Sequence, residues 1–117
     1  VTTSLEIDIA YQYIHVFNNH DVDTLSKMYA ADVSLSEWGE NVYTGIADVL
    51  AENKRLFLAS PELYIDLQSV SQDPFNKRVF LQILVYLTPK SEPVRIVDSI
   101  CVNDSGQIED IFAYRGF

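Results

Sequence analysis

The chain has 117 residues, 48% of them hydrophobic, which suits a single domain with one sizeable core. Eight basic against 17 acidic residues give a net charge of −9, so there is no basic stripe to meet phosphates and no nucleic-acid partner is expected. No run of about 18 apolar residues occurs, so no membrane span is expected either.

Apolar residues recur at spacings of three and four from the start. Leu5, Ile9, Tyr13 and Val16 form one stripe and Ile7, Ala10, Ile14 and Phe17 a second, predicting a helix over 4–19 covered on more than one side. Asn18-Asn19-His20-Asp21 breaks it. Asp21 or Asp23 can cap a short second helix to about Ala30, with Leu25, Met28 and Tyr29 inward. Residues 33–38 alternate as a strand, Glu40-Asn41 turns the chain, and 42–44 form a second strand ending at Gly45. A third helix over 46–59 stops before Pro61. Val49, Leu50, Leu56 and Phe57 are expected inside it, with Asp48, Glu52, Lys54 and Arg55 largely in water.

The second half reads as strands over 63–71, 78–88, 94–102 and 107–115, separated by Asp73-Pro74-Phe75-Asn76, a loop over 89–93, and Asn103-Asp104-Ser105-Gly106. Residues 78–88 are apolar on both faces, with Val79, Leu81, Ile83, Val85 and Leu87 on one and Phe80, Leu84 and Tyr86 on the other. This marks a central strand covered twice. The cover for the second face is expected to be a second copy of the chain, making a homodimer. Helices gathered on one side of a curved antiparallel sheet predict an α+β cone with an internal cavity, spanning 1–117 as one domain.

On the strand over 94–102, alternation places Val94, Ile96, Asp98, Ile100 and Val102 on one face. That face is apolar except at Asp98. A carboxylate there must pair, protonate or serve a ligand, because burying a bare charge is too costly. A lysine, a backbone N–H or a subunit neighbour would satisfy it equally well. Cys101, the one cysteine, reads as a small packing residue and fits a reducing compartment. With no basic segment leading into an apolar run at the start, the cytoplasm is the expected location. Two histidines without ligand spacing predict no metal site.

Three stretches carry a family resemblance. Asn19-His20-Asp21-Val22-Asp23-Thr24-Leu25, continued by Tyr29-Ala30-Ala31-Asp32-Val33, resembles the opening motif of SnoaL-like and ketosteroid-isomerase-like proteins of the nuclear-transport-factor-2-like superfamily. Thr44-Gly45 resembles the step into their third helix. The stretch from Asp98 through Gly106, Gln107 and Ile108 to Ala113-Tyr114 resembles their closing strands. The resemblance spans essentially the whole chain and implies the cystatin-like, nuclear-transport-factor-2-like cone.

It also implies three polar groups inside that cone. Tyr13 falls at the position of a steroid isomerase's tyrosine, Glu37 at its catalytic base and Asp98 at its second acid. The implied reaction is cofactor-independent proton transfer beside the carbonyl of a small hydrophobic compound, by an isomerase or lyase. Glu37 would move the proton while Tyr13 and a neutral Asp98 hydrogen-bond the oxyanion. Trp38, Tyr29, Ile96, Ile100, Ile111 and Arg115 would line the substrate. Glu37 is one methylene longer than the family's usual aspartate, which places the base differently. Trp38 stands where proline is common, and Arg115 would suit a substrate carboxylate or phosphate, or an acid at a dimer edge. Two other readings remain open: a SnoaL-like cyclase or epoxide-hydrolase relative with Asp98 as acid or base, and a non-catalytic ligand-binding or dimerisation domain. Taken alone, Tyr13 also suits a core tyrosine, and Glu37 an exposed hairpin residue.

Overall fold

The computed structural model describes residues 5–117, and the predicted helix start at Ser4 lies outside them. In chain order the elements are α1 (Leu5–Asn18), α2 (Val22–Met28), β1 (Tyr29–Glu37), β2 (Asn41–Thr44), α3 (Ile46–Ala59), β3 (Tyr64–Asp73), β4 (Arg78–Tyr86), β5 (Val94–Val102) and β6 (Ile108–Arg115). The six strands make one sheet in the order β2-β1-β6-β5-β4-β3. The α+β cone expected from the sequence is the architecture found: three helices on a curved, unclosed sheet.

The sheet is mixed rather than wholly antiparallel, because β1 and β6 run parallel. Topology explains this. After the β1–β2 hairpin, α3 carries the chain to the far edge, and four antiparallel strands then return across the sheet. The last arrives beside β1 pointing the same way. Register shifts in β1, β3 and between Cys101 and Val102 interrupt the ladders, and such irregularities bend strands and deepen the curl.

Two local expectations are corrected. The second helix ends at Met28, not near Ala30: Asp21 caps it by accepting from Thr24 N–H, and Tyr29 is already extended, so Tyr29 and Ala30 open β1. The first hairpin turns at Trp38 and Gly39, not at Glu40-Asn41. Both residues have positive φ (54° and 73°), and Glu40 N–H donates to the Glu37 carbonyl at 2.9 Å. Such a conformation is ordinary for glycine and uncommon for tryptophan. It sets Trp38 at the rim of the sheet.

The core fills the concave side of the sheet. Val33, Val49, Val79, Leu81, Ile100 and Ile108 are fully enclosed there, with Tyr13, Ile14 and Phe17 of α1 packed against them. The outer face of β4 is not covered within one chain: Phe80 is exposed, with Phe112 and Tyr114 exposed nearby on β6. Among the described residues no helix is long and apolar enough to cross a membrane.

A polar joint fixes the end of α1 to β3. Asn18 Nδ2 donates to the Ile65 carbonyl at 2.9 Å, and its Oδ1 accepts the Ile65 N–H at 2.6 Å. Next to it the His20 ring stacks on Phe57 at 4.2 Å and its Nε2 lies 2.7 Å from the Leu63 carbonyl, which makes that nitrogen a donor. Replacing Asn18 by Ala strips both backbone groups of Ile65 of their partner. The expected loss is about 2 kcal/mol in urea denaturation, and Asn18→Asp, which keeps only the acceptor, should recover part of it.

Candidate functional site

The concave side encloses a cavity of about 180 Å³, bordered mainly by apolar side chains of α1, α3 and all strands but β2. Tyr13, Glu37 and Asp98 all border it, as do Trp38, Ile96 and Ile111. Three residues expected at the lining do not reach it. Tyr29 is buried behind Tyr13, Ile100 is wholly enclosed in the core, and Arg115 is exposed at the end of β6, opposite Ile96. Alternation set Arg115 on the right face, but at the end of β6 its side chain is exposed to solvent and does not border the cavity.

The two acids are placed by sheet register. Asp98 on β5 pairs with Ala113 on β6, and Glu37 at the end of β1 pairs with the same Ala113 from the other side. Cross-strand partners point to the same face, so both carboxyl groups lean over one methyl group. The parallel β1–β6 pairing, invisible to a strand-by-strand reading, creates this juxtaposition.

Asp98 is 7% exposed, and no hydrogen bond or ion pair to its carboxyl is found among the described residues. The lysine or backbone partner that would have explained it structurally is not there. Burial, with a smaller contribution from the charge of Glu37, pushes its pKa up to about 7. Near neutral pH it is therefore poised to give or take a proton.

Tyr13 rises from α1 into the same space, and burial, reinforced by Tyr29 and then by Asp98 and Glu37, holds its phenol well above its ordinary range. Its hydroxyl meets that of Tyr29, which donates to Asn53 Oδ1 on α3 at 2.7 Å. Tyr29 thus supports the tyrosine rather than touching the cavity.

Glu37 also has its pKa raised, first by burial and then by the neighbouring carboxylate of Glu52. Glu52 was expected in water, yet its side chain is 2% exposed. Arg55 grips it through two hydrogen bonds of 2.6 and 2.8 Å, which holds its carboxyl below the ordinary range. Glu52 and Asn53 are the functional candidates that sequence reasoning missed. The signal was present: Val49, Glu52, Asn53, Leu56 and Phe57 follow the i, i+3, i+4, i+7, i+8 spacing of a buried helix stripe. Two polar residues on such a stripe must meet polar partners inside.

His15, two positions from Tyr13, is exposed, as expected of the opposite helix face. Among the described residues no group of three His, Cys, Asp or Glu side chains is gathered to hold a metal ion.

A model of the SnoaL-like domain matches residues 10–111, and the chain belongs to that family. No curated protein matches the sequence closely enough to count as a relative. Solved structures match over nearly the whole chain at identities that establish the fold alone. A cystatin-like-fold protein of unknown function from Methylobium petroleophilum superposes with a TM-score of 0.84 at 12% identity, covering 100% of this chain and 79% of that one. SalBIII, an epoxide hydrolase/cyclase-like enzyme with a role in pyran ring formation in the polyether salinomycin, gives 0.82 at 18% identity, covering 96% and 91%. A provisionally assigned ketosteroid isomerase from Kribbella flavida gives 0.81 at 17%, covering 97% and 78%.

The state of Asp98 has a consequence for stability. Its folded pKa lies above that of the unfolded chain, so its contribution is intact below the ordinary carboxylate range and is lost as pH rises toward about 7. Over that interval the loss amounts to as much as about 4 kcal/mol. Asp98→Asn should therefore be more stable than wild type at pH 8, with the difference vanishing near pH 4. Denaturant titrations at the two pH values check this, and equal stabilities at pH 8 would contradict it.

Proposed function

We propose that this SnoaL-like protein is a cofactor-independent acid–base enzyme that moves a proton between carbons flanking the carbonyl of a small, neutral, apolar compound. The observation that carries the reading is the pairing of Glu37 and Asp98 across Ala113, on the wall of an apolar cavity that Tyr13 also borders. Glu37, whose basicity is raised, takes the α proton. Asp98, mostly neutral below about pH 7, and Tyr13 donate to the enolate oxygen in a largely apolar space. Tyr29, held by its hydrogen bond to Asn53, backs the phenol on its inner side, and rotation of the Tyr13 O–H turns it toward the cavity.

Size and charge narrow the substrate. The cavity is smaller than the roughly 300–1,000 Å³ typical of drug-sized ligands, which favours a monocyclic carbonyl compound over a steroid enclosed whole. Among the described residues no lysine, arginine or histidine borders it, which favours a neutral molecule. Part of the same proposal is a homodimer formed through the outer sheet face, where Phe80, Phe112 and Tyr114 are exposed. Sedimentation should report a dimer, and a monomer at high concentration would remove that part.

A second reading, a cyclase or epoxide-hydrolase relative, is favoured by the same unpaired Asp98, because a carboxyl titrating near neutrality can serve as base as well as donor. The pH profile separates the two. With Asp98 as the neutral donor, activity falls as pH rises past about 7; with Asp98 as the base, it grows over that range.

The direct assay is conversion of a β,γ-unsaturated cyclic ketone such as cyclohex-3-enone to its conjugated isomer, followed by absorbance. Glu37→Gln should lower turnover by at least about 100-fold, and an unchanged rate would remove Glu37 as the base. Ala113→Leu, which fills the gap between the two carboxyls without altering any charge, should abolish turnover while the protein stays folded. Under the second reading Asp98→Asn abolishes activity and Tyr13→Phe has little effect.

A further inference from the structure

Outside the three residues that face the cavity, one further charged group is buried among the described residues, Glu52, and the carboxyl beside it is that of Glu37. Arg55, one helical turn on, clamps Glu52 through two hydrogen bonds, while Arg55 itself remains 61% exposed and hydrated. Tyr43 on β2 lies near the same carboxylate. An ionised carboxylate this enclosed is tolerated only when its lone pairs are occupied in this way. Two carboxyl groups side by side cannot both be ionised cheaply. Because Arg55 stabilises the charge on Glu52, the proton resides on Glu37.

We infer that Glu52, buried and clamped by Arg55, is a positioning residue that holds Glu37 against the cavity wall and makes it a stronger base. This rests on the reading of Glu37 as the base and extends it to α3, which contributes no reacting group of its own. The arrangement also offsets the length of the glutamate. A side chain with one methylene more than aspartate has more conformers to restrict, and a fixed acceptor on the neighbouring helix restricts them. The groups facing Glu37 are Glu52 and Arg55 from α3, Tyr43 from β2, Asp98 from β5 and Tyr13 from α1. Of these, Glu52 is the neighbouring carboxyl whose charge Arg55 favours through two hydrogen bonds.

The test is the titration of Glu37 itself, read by carbon NMR of the full chain labelled at the glutamate carboxyl, with Glu37→Gln assigning the signal. In wild type the Glu37 midpoint should lie above that of the exposed glutamates. Glu52→Gln keeps size and shape but removes the negative charge and offers an N–H, so the midpoint should fall. Arg55→Gln removes the clamp and should move the upper apparent pKa of the Glu37–Glu52 pair the opposite way. In the turnover assay Glu52→Gln should shift the acid limb of the kcat profile to lower pH and reduce kcat, with KM little changed. A merely structural Glu52 would lower melting temperature without moving the Glu37 midpoint, and that outcome overturns the inference. A moved midpoint in a protein that shows no turnover supports the coupling and removes the proposed function instead. The two substitutions shifting the midpoint in the same direction would also overturn it.

Discussion

An unpartnered carboxyl group on the concave face of the sheet is the constraint to which the rest of the structure answers. Asp98 sits on β5, one of the two innermost strands, enclosed by apolar neighbours and without a cation or N–H to receive its charge. A group so placed weakens the fold whenever it ionises. It persists in a marginally stable molecule only because the surrounding core supplies enough apolar burial to tolerate it. Ala113, the smallest side chain on the cavity floor, leaves open the space into which that carboxyl points. A larger residue there would fill the gap and improve packing, at the expense of the hollow.

Two polar chains lead from this hollow to α3, and they reach it at adjacent residues, Asn53 and Glu52. One runs from Tyr13 through Tyr29 to Asn53. The other runs from Glu37 through Glu52 to Arg55. The helix that lies across β1 therefore orients a phenol and a carboxyl at once, although of these anchors only Asn53 itself borders the cavity. Rigid elements hold such groups more closely than loops can. The strained Trp38 at the tip of the first hairpin belongs to the same picture: an aromatic ring is kept at the rim where glycine or asparagine would have made the turn easier.

The scaffold by itself does not choose a reaction. One fold carries both SalBIII, described as epoxide hydrolase/cyclase-like, and a protein provisionally assigned as a ketosteroid isomerase. What distinguishes one member from another is which polar groups reach the cavity and in what protonation state. Here those groups are an unpaired aspartic acid, a glutamate beside a second glutamate, and a supported tyrosine, with no cation among them. This set suits proton transfer on a neutral molecule better than recognition of a charged one.

Much of this was legible in the amino-acid order. Period-two and period-3.6 patterns are local properties, so β5 and α3 could be bounded to the residue, and the oddity of Asp98 on an apolar face was plain. The register between distant strands is not a local property. That Glu37 and Asp98 flank the same Ala113 depends on a parallel pairing between the first and last strands, created by the path of α3 across the sheet. Burial of Glu52 was hinted by its place on the helix stripe, but a glutamate beside Lys54 and Arg55 reads equally well as a solvated face until its partners are known. The exposure of Arg115 likewise followed from its place at the end of β6, not from which face of the strand it occupies. Sequence alone determined the elements and the apolar faces, because backbone preference and side-chain period act over a few residues. Only the tertiary structure decided which acids meet and which charges are buried, because those depend on contacts between segments far apart in the chain.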